Sequence, residues 1–531
     1  MALYDQCISV LLISLGLAAC GGGGGSGGNT APKPPPPTTN YSISITSNLN
    51  GTVVASNYTD TLTETCSPGA ACTFNYNQNT QVVLTAQPQL HYRFKQWSGD
   101  CNGGGPCSIT PTINHNISAT YELIPGSTQA CIETIPTPNI PDISWQIVVS
   151  SLTNPVAIAS ASGINNRLYI GEQGGIIRTV SNGSLDAGNF LDISDRVLSA
   201  GGSTLDNLSG LMSLAFHPQF ATNGLFYLYY ISERDSLPNI THGQCQTSDV
   251  CVIVSEFDNN EITDGIPSAQ AERILLDIPM TTATRLGGHL AFGPEAIPML
   301  TISVGDGGAF ASSYTTNYTG KLLRIDVNNQ DAGLEYSIPN SNPVQLADNV
   351  SNAYISNTGK QEIWSYGFSN PWQFSFDALN GALYLVDNND TLQEINAIQP
   401  GLFYGWDICT GDYGVGSVDC QEFNGSNTIQ ANAVYQTAPL LLHTFYNNPD
   451  WSTMMGGIMY RGSQYASLCG TYIYGDYING NISSLRYDGS SISEQKDLTS
   501  LPGVIAFGTD QDFEIYAVVR STGILYQLTV P

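Results

Sequence analysis

Apolar residues in this chain come in short runs, each followed by a turn and a second run, and the arrangement recurs six times from about residue 167 onward. The copies read RLYIGEQGGIIRTV from Arg167, LFYLYYIS from Leu225 with VCVIVSEF as its return, and MLTISVGDGG from Met299 with GKLLRIDV. They continue as ALYLVDNNDTLQEINAI from Ala382, TYIYGDYINGNISSLRY from Thr471 and EIYAVVRSTGILYQLTV from Glu514. A strand pair of this kind cannot bury its apolar faces alone, so copies must pack radially, and six of them predict a six-bladed β-propeller. The segment ISWQIVVSSLTNPVAIASA precedes the first copy and is predicted to lend a strand to the last blade, closing the ring without a free edge.

Ahead of the propeller, residues 41–124 alternate apolar and polar positions, as in YSISITS, QVVLTAQP and ISATYEL, and carry the turn-rich stretch WSGDCNGGGPC around Trp97. Alternation of period two predicts a small β-rich module, and its Trp-Ser-Gly turn and strand rhythm resemble the divergent internalin B-type repeat, here a stalk, spacer or adhesive element. Residues 21–40, GGGGGSGGNTAPKPPPPTTN, are low in complexity and read as a tether. Residues 1–20 end in an apolar run and Leu17-Ala18-Ala19-Cys20, which resembles a lipoprotein signal with Cys20 as the lipidated residue, although no Lys or Arg precedes the run. The expected order is therefore signal (1–20), tether (21–40), β module (41–124), linker (125–139) and propeller (140–531). The whole is an all-β protein held at the cell envelope by a lipid anchor, with Gly21 after Cys20 arguing for the outer membrane.

Charge narrows the partners. Lys and Arg total 16 against 44 Asp and Glu, a formal charge of −28, which repels phosphate backbones and excludes nucleic acid while admitting a neutral sugar, a cation or a protein surface. Setting Cys7 and Cys20 aside leaves ten cysteines of the 12, an even number suited to an oxidising compartment. Spacing suggests Cys66 with Cys72, Cys101 with Cys107, Cys245 with Cys251 and Cys409 with Cys420, leaving Cys131 and Cys469 to pair by exclusion. Zinc is disfavoured because no CxxC occurs and the six histidines are scattered. HExxH and P-loop motifs do not occur either.

The phrases GLMSLAFHPQFATNGLFYLYY, GGHLAFGPE, SVGDGG, GKLLRIDVN, EIWSYGFSNPWQFSFD, GGIMYRGSQYASLCGTYIYGDYINGNI and IAFGTD occur in that order over residues 140–531. Together they resemble the glucose/sorbosone dehydrogenase family. That resemblance implies a propeller, and in the family's soluble aldose dehydrogenases a pyrroloquinoline quinone (PQQ) cofactor with calcium. It also extends to members resembling hedgehog-interacting proteins, and fold membership does not decide activity. In the dehydrogenases a histidine before the Gly-Gly of the FGP motif takes the proton from the sugar C1 hydroxyl. The aligned residue here is Arg285, whose guanidinium stays protonated and cannot be that base.

His289 lies four residues later and is the substitute candidate, with a buried hydrogen-bonded histidine as the plainer expectation. The resemblance further places Asn370, Asn388 and Arg461 at cofactor contacts, and Asp387 and Asp390 of the DNND turn as hard-cation ligands. Such turns also arise for backbone reasons alone. Family donors to the anionic quinone are replaced at Leu208, Ser369 and near Ser500 and Pro502. Trp372, Tyr404, Trp406 and Trp451 are candidates for stacking on a sugar. Two functions follow: a propeller that binds a sugar, a glycan or a protein partner through its funnel, or an active PQQ-dependent oxidoreductase acting on an aldose C1 hydroxyl.

Overall fold

The computed structural model describes residues 40–48, 50–57, 63–88, 92–103, 107–123, 131, 139–198, 208–232, 245, 250–268, 270–295, 298–309, 311–343, 359–388, 392–406, 409–410, 413–414, 419–422, 433–436, 439–444 and 453–531. The signal, residues 21–39 of the tether and Asp390 lie outside these residues. Among them the fold is all-β apart from the α-helical turn Phe220–Asn223, a helical position at Cys131 and short 3-10 turns.

The N-terminal module consists of two four-stranded sheets. One orders Ala71–Asn77, Asn40–Ser47, His115–Leu123 and Tyr92–Gly99, the middle pair parallel. The other orders Thr63–Cys66, Gly51–Asn57, Val82–Pro88 and Cys107–Ile109. Ile43, Ile45, Val53, Leu84 and Ile117 from the alternating positions share a core with Trp97, so the Trp-Ser-Gly turn inserts its ring rather than displaying it. The disulfides Cys66–Cys72 and Cys101–Cys107 staple it. A core this small gains from such cross-links.

From residue 144 onward the structure repeats an antiparallel sheet six times. The first strands are Pro155–Ala159, Leu211–Phe216, Gly287–Phe292, Pro371–Phe376, Met454–Met459 and Val504–Thr509. Each packs against the next in chain order, and the last packs against the first. The predicted hairpins are the second and third strands of these sheets, for example Leu225–Ser232 with Val250–Asp258. Ser144–Val149 pairs with Ile524–Thr529, so the N-terminal strand completes the sixth sheet as the sequence led us to expect.

Two further regularities shape the interior. Every first strand carries a register shift near its start, at Pro155/Ala157, Leu211/Ser213, Gly287/His289, Pro371/Gln373, Met455/Gly457 and Val504/Ala506. A bulge adds a residue and turns the side chains that follow. Two residues past each shift the side chain is small in five sheets: Ala159, Ala215, Ala291, Ser375 and Gly508, with Met459 the exception. Opposite them on the second strands stand Tyr169, Tyr227, Thr301, Tyr384, Tyr516 and, across from Met459, Tyr472. Small-against-tyrosine pairing satisfies volume across the strand pair and leaves room along the strand ends.

Two more disulfides are present, Cys245–Cys251 and Cys131–Cys469, the latter spanning 338 residues and fastening the linker to the fifth sheet. The side chains of Cys409 and Cys420 lie outside the described residues. Disulfides of this number belong to proteins matured in an oxidising compartment. Among the described residues no helix is long and apolar enough to cross a membrane.

Candidate functional site

The starts of the first strands gather a ring of carboxylates. Glu172 accepts the Thr153 amide at 2.7 Å, and Asp476 accepts that of Thr453 at 2.7 Å. Asp387 accepts the Asn370 amide at 2.7 Å and the Ser369 amide at 2.9 Å. Each of these acids ends or nearly ends a second strand and holds the chain just before its own first strand. Asp387 is 4% exposed, and burial, reinforced by Glu394 opposite it, raises its pKa well above the ordinary carboxylate range against the pull of the two amides. Its oxygens accept backbone amides, the backbone role open to such turns. Among the described residues no group of three metal-ligating side chains occurs.

In the third sheet the same rim carries a cation. Arg285 is buried, sits at a backbone φ of 50°, and places Nε 3.1 Å from Oδ1 of Asp306. Its guanidinium carbon lies 5.5 Å from the Trp406 ring, a cation–π contact. Trp406 Nε1 in turn donates to Oδ2 of Asp306 at 2.7 Å, and Gly308 donates its amide to Oδ1 at 2.8 Å. The Arg285 carbonyl accepts the Gly307 amide at 3.0 Å, and Asn370 Oδ1 accepts that of Gly287 at 3.0 Å. The approach is close enough that a Cβ at Gly287 would meet the Gly305 nitrogen at 2.5 Å. Arg285, Asp306, Trp406 and Asn370 thus form one interlocked unit.

The other expected residues are dispersed. Asn388 donates to the Met454 carbonyl at 2.8 Å and bridges the fourth and fifth sheets. Arg461 leaves the rim altogether: it grips Asp377 with Nε and Nη2 at 2.7 and 2.6 Å, beyond the opposite ends of the first strands. His289 sits between, its Nδ1 3.3 Å from Ser213 Oγ and its ring edge-on to Phe374 at 4.9 Å. Burial lowers its pKa to about 4, so the imidazole is neutral at pH 7. Trp372 and Tyr404 are buried, Tyr404 stacked on Phe368, so neither is a platform for a sugar, and Trp451 lies outside the described residues.

Residues 152–526 match the family described as glucose/sorbosone dehydrogenase. The chain belongs to that family. Residues 41–125 match the divergent InlB B-repeat domain. Among curated relatives, mouse hedgehog-interacting protein is 26% identical over 73% of this chain and 52% of its own length. The Arabidopsis thaliana HIPL1 protein is 26% identical over 69% of this chain and 60% of its own, so the match spans little more than half of these relatives. Aldose sugar dehydrogenase YliI of Escherichia coli is 26% identical over 46% of this chain and 60% of its own.

The fold is shared with solved dehydrogenases. The soluble aldose sugar dehydrogenase of Escherichia coli superposes with a TM-score of 0.53 at 18% identity, covering 73% of this chain and all (100%) of the other. The PQQ-bound enzyme of Streptomyces coelicolor gives 0.52 at 17% identity, covering 74% and 99%.

The rim of this family member does not fit an anionic quinone. Its described cations are engaged, Arg285 by Asp306 and Arg520 by Gln173 Oε1, the latter at 3.1 and 2.6 Å. Buried Asp306, Asp387 and Glu394 stand beside them. Carboxylates at close range disfavour the approach of further carboxylates. What sequence reasoning missed is the Arg285–Asp306 pair itself: Asp306 was visible in GDGG, but its partner lies 21 positions earlier, a contact no local spacing reveals.

Proposed function

We propose that this chain is an exported six-bladed propeller that binds a partner and does not oxidise sugars. The carrying observation is the buried Arg285–Asp306 pair at the family's base position. General-base chemistry requires a group that is unprotonated before the proton moves, and a guanidinium stays protonated in proteins. His289 is neutral but belongs to a different stretch of the first strand, hydrogen-bonded to Ser213.

A protein partner is favoured over a sugar. Trp372 and Tyr404 are buried and Trp406 is tied to Asp306, which takes up three of the four candidate aromatic platforms for a sugar. Tyr314 and Ile478 are instead 63% and 61% exposed on the loops that follow the second strands, at the same rim. Relatives include a protein named for its interaction with hedgehog, and exposed aromatic and aliphatic anchors suit such contacts. In this reading residues 1–20 direct lipidation at Cys20, the 21–40 tether and the 41–124 module hold the propeller away from the membrane, and PQQ and calcium are not resident.

The test is dye reduction by the purified protein, mixed with PQQ and calcium, across a panel of aldoses. No sugar-dependent reduction is expected; turnover on any aldose would overturn the proposal.

A further inference from the structure

A cavity of about 420 Å3 lies at the far ends of the six first strands, away from the Arg285 rim. Its wall is mostly apolar, with Leu214, Phe292, Phe376, Ile458, Phe507 and Phe513 among the contributors. The space exists because Ala159, Ala215, Ala291, Ser375 and Gly508, the small residues opposite the second strands, all border it. Volume of this order suits a compact small molecule.

Three polar groups on neighbouring strands border this wall without a protein partner. Gln373 is 7% exposed, and its amide makes no hydrogen bond to the described residues. Ser375 Oγ is buried and unsatisfied. His289 engages only Nδ1, with Ser213, leaving Nε2 for the cavity it lines. Register explains the grouping: His289 and Gln373 are equivalent residues directly after the bulges of the third and fourth sheets, and the matching positions in the first, fifth and sixth are Ala157, Gly457 and Ala506. The polar groups of the opposite side are spent on the backbone, Gln511 on the carbonyls of Ala161 and Ile164 and Asp510 on amides, so the unpartnered ones lie on the third and fourth sheets.

Buried polar groups without partners are destabilising, and their clustering in a largely apolar wall is what a built binding site presents. The cavity carries no free cation among the described residues. Its carboxylate, Asp510, accepts the amides of Asp512 and Glu514, each at 3.0 Å. An ionic ligand has no counter-charge there. We propose that this cavity binds a neutral, mainly apolar molecule carrying a hydroxyl group, with Gln373 and His289 holding the hydroxyl and the phenylalanine side enclosing the body. This site is separate from the rim and stands whether or not the rim binds a protein.

The experiment is calorimetric titration of the full chain with 4-butylphenol and with butylbenzene, which has the same apolar body and no hydroxyl. Saturable binding is expected, with the phenol favoured about tenfold or more, the effect of one buried hydrogen bond. Gln373→Leu and His289→Leu should each erase most of that preference while leaving butylbenzene binding in place. Ala291→Trp should fill the cavity and abolish both; Ser375→Phe serves as a second filling variant if thermal melting shows that the first does not fold. No saturable binding to the unaltered chain, binding untouched by the filling variants, or equal affinity for the two probes would each overturn the proposal.

Discussion

Arg285 Nε stands 3.1 Å from Oδ1 of Asp306, and Trp406 donates to Oδ2 of the same carboxylate at 2.7 Å. Removing one member of a buried pair strands the other charge, at a cost of about 3–5 kcal/mol. Arg285→Met should lower stability by about that amount in urea unfolding, and adding Asp306→Asn should recover more than half of it. Equal stability of Arg285→Met and the unaltered protein would mean the pair is not formed.

His289 gives the protein a pH dependence of known sign. Its folded pKa of about 4 lies below the ordinary histidine value of 6.5, so the fold favours the neutral ring. The stability it contributes is complete above pH 6.5 and is lost as pH falls toward 4, where the folded state also begins to take up the proton. For a half-buried ring we expect about 1–2 kcal/mol, less than the full shift implies. His217, also lowered by burial, is common to both proteins, so the difference between the unaltered chain and His289→Gln isolates the one ring. That difference should shrink between pH 7 and pH 4.5; a constant gap would contradict the assignment.

Cys131 and Cys469 close a loop of 338 residues, tying the linker to the fifth sheet. Cys131→Ser should cost about 2–5 kcal/mol. Limited proteolysis should then cut the linker before either folded unit, whereas an unchanged cleavage pattern would show that the disulfide does not restrain it.

Asp387 acts here as an acceptor for the Ser369 and Asn370 amides. Asp387→Ala should destabilise by about 2–4 kcal/mol through two unpaired buried donors. Asp387→Asn should cost less, since its carbonyl oxygen still accepts. Calcium should raise the melting temperature of none of these proteins, and a calcium-dependent rise lost in Asp387→Asn would restore the cation-ligand reading.

The six hairpins were legible because their second strands are buried on both faces and read as nearly continuous apolar runs, as in Leu225–Ser232. First strands such as Gly287–Phe292 and Met454–Met459 were muted by paired glycines and by the bulge that breaks their alternation. The closing strand was readable from the alternation around Trp145. The site was less so, because its decisive contacts are non-local: Arg461 finds Asp377 84 residues away, and Asp387 finds amides 17 and 18 residues before it. A cluster such as DNND reports its oxygens but not which backbone groups will claim them.

The central claim is that the rim built around Arg285 and Asp306 does not receive the family's quinone. Equilibrium titration of the purified protein with PQQ in the presence of calcium, followed by quinone absorbance, tests it most directly. No saturable change is predicted through micromolar quinone, for the unaltered chain and for Arg285→His alike. Tight stoichiometric binding to the unaltered chain would contradict the account and return the protein to the quinoprotein dehydrogenases.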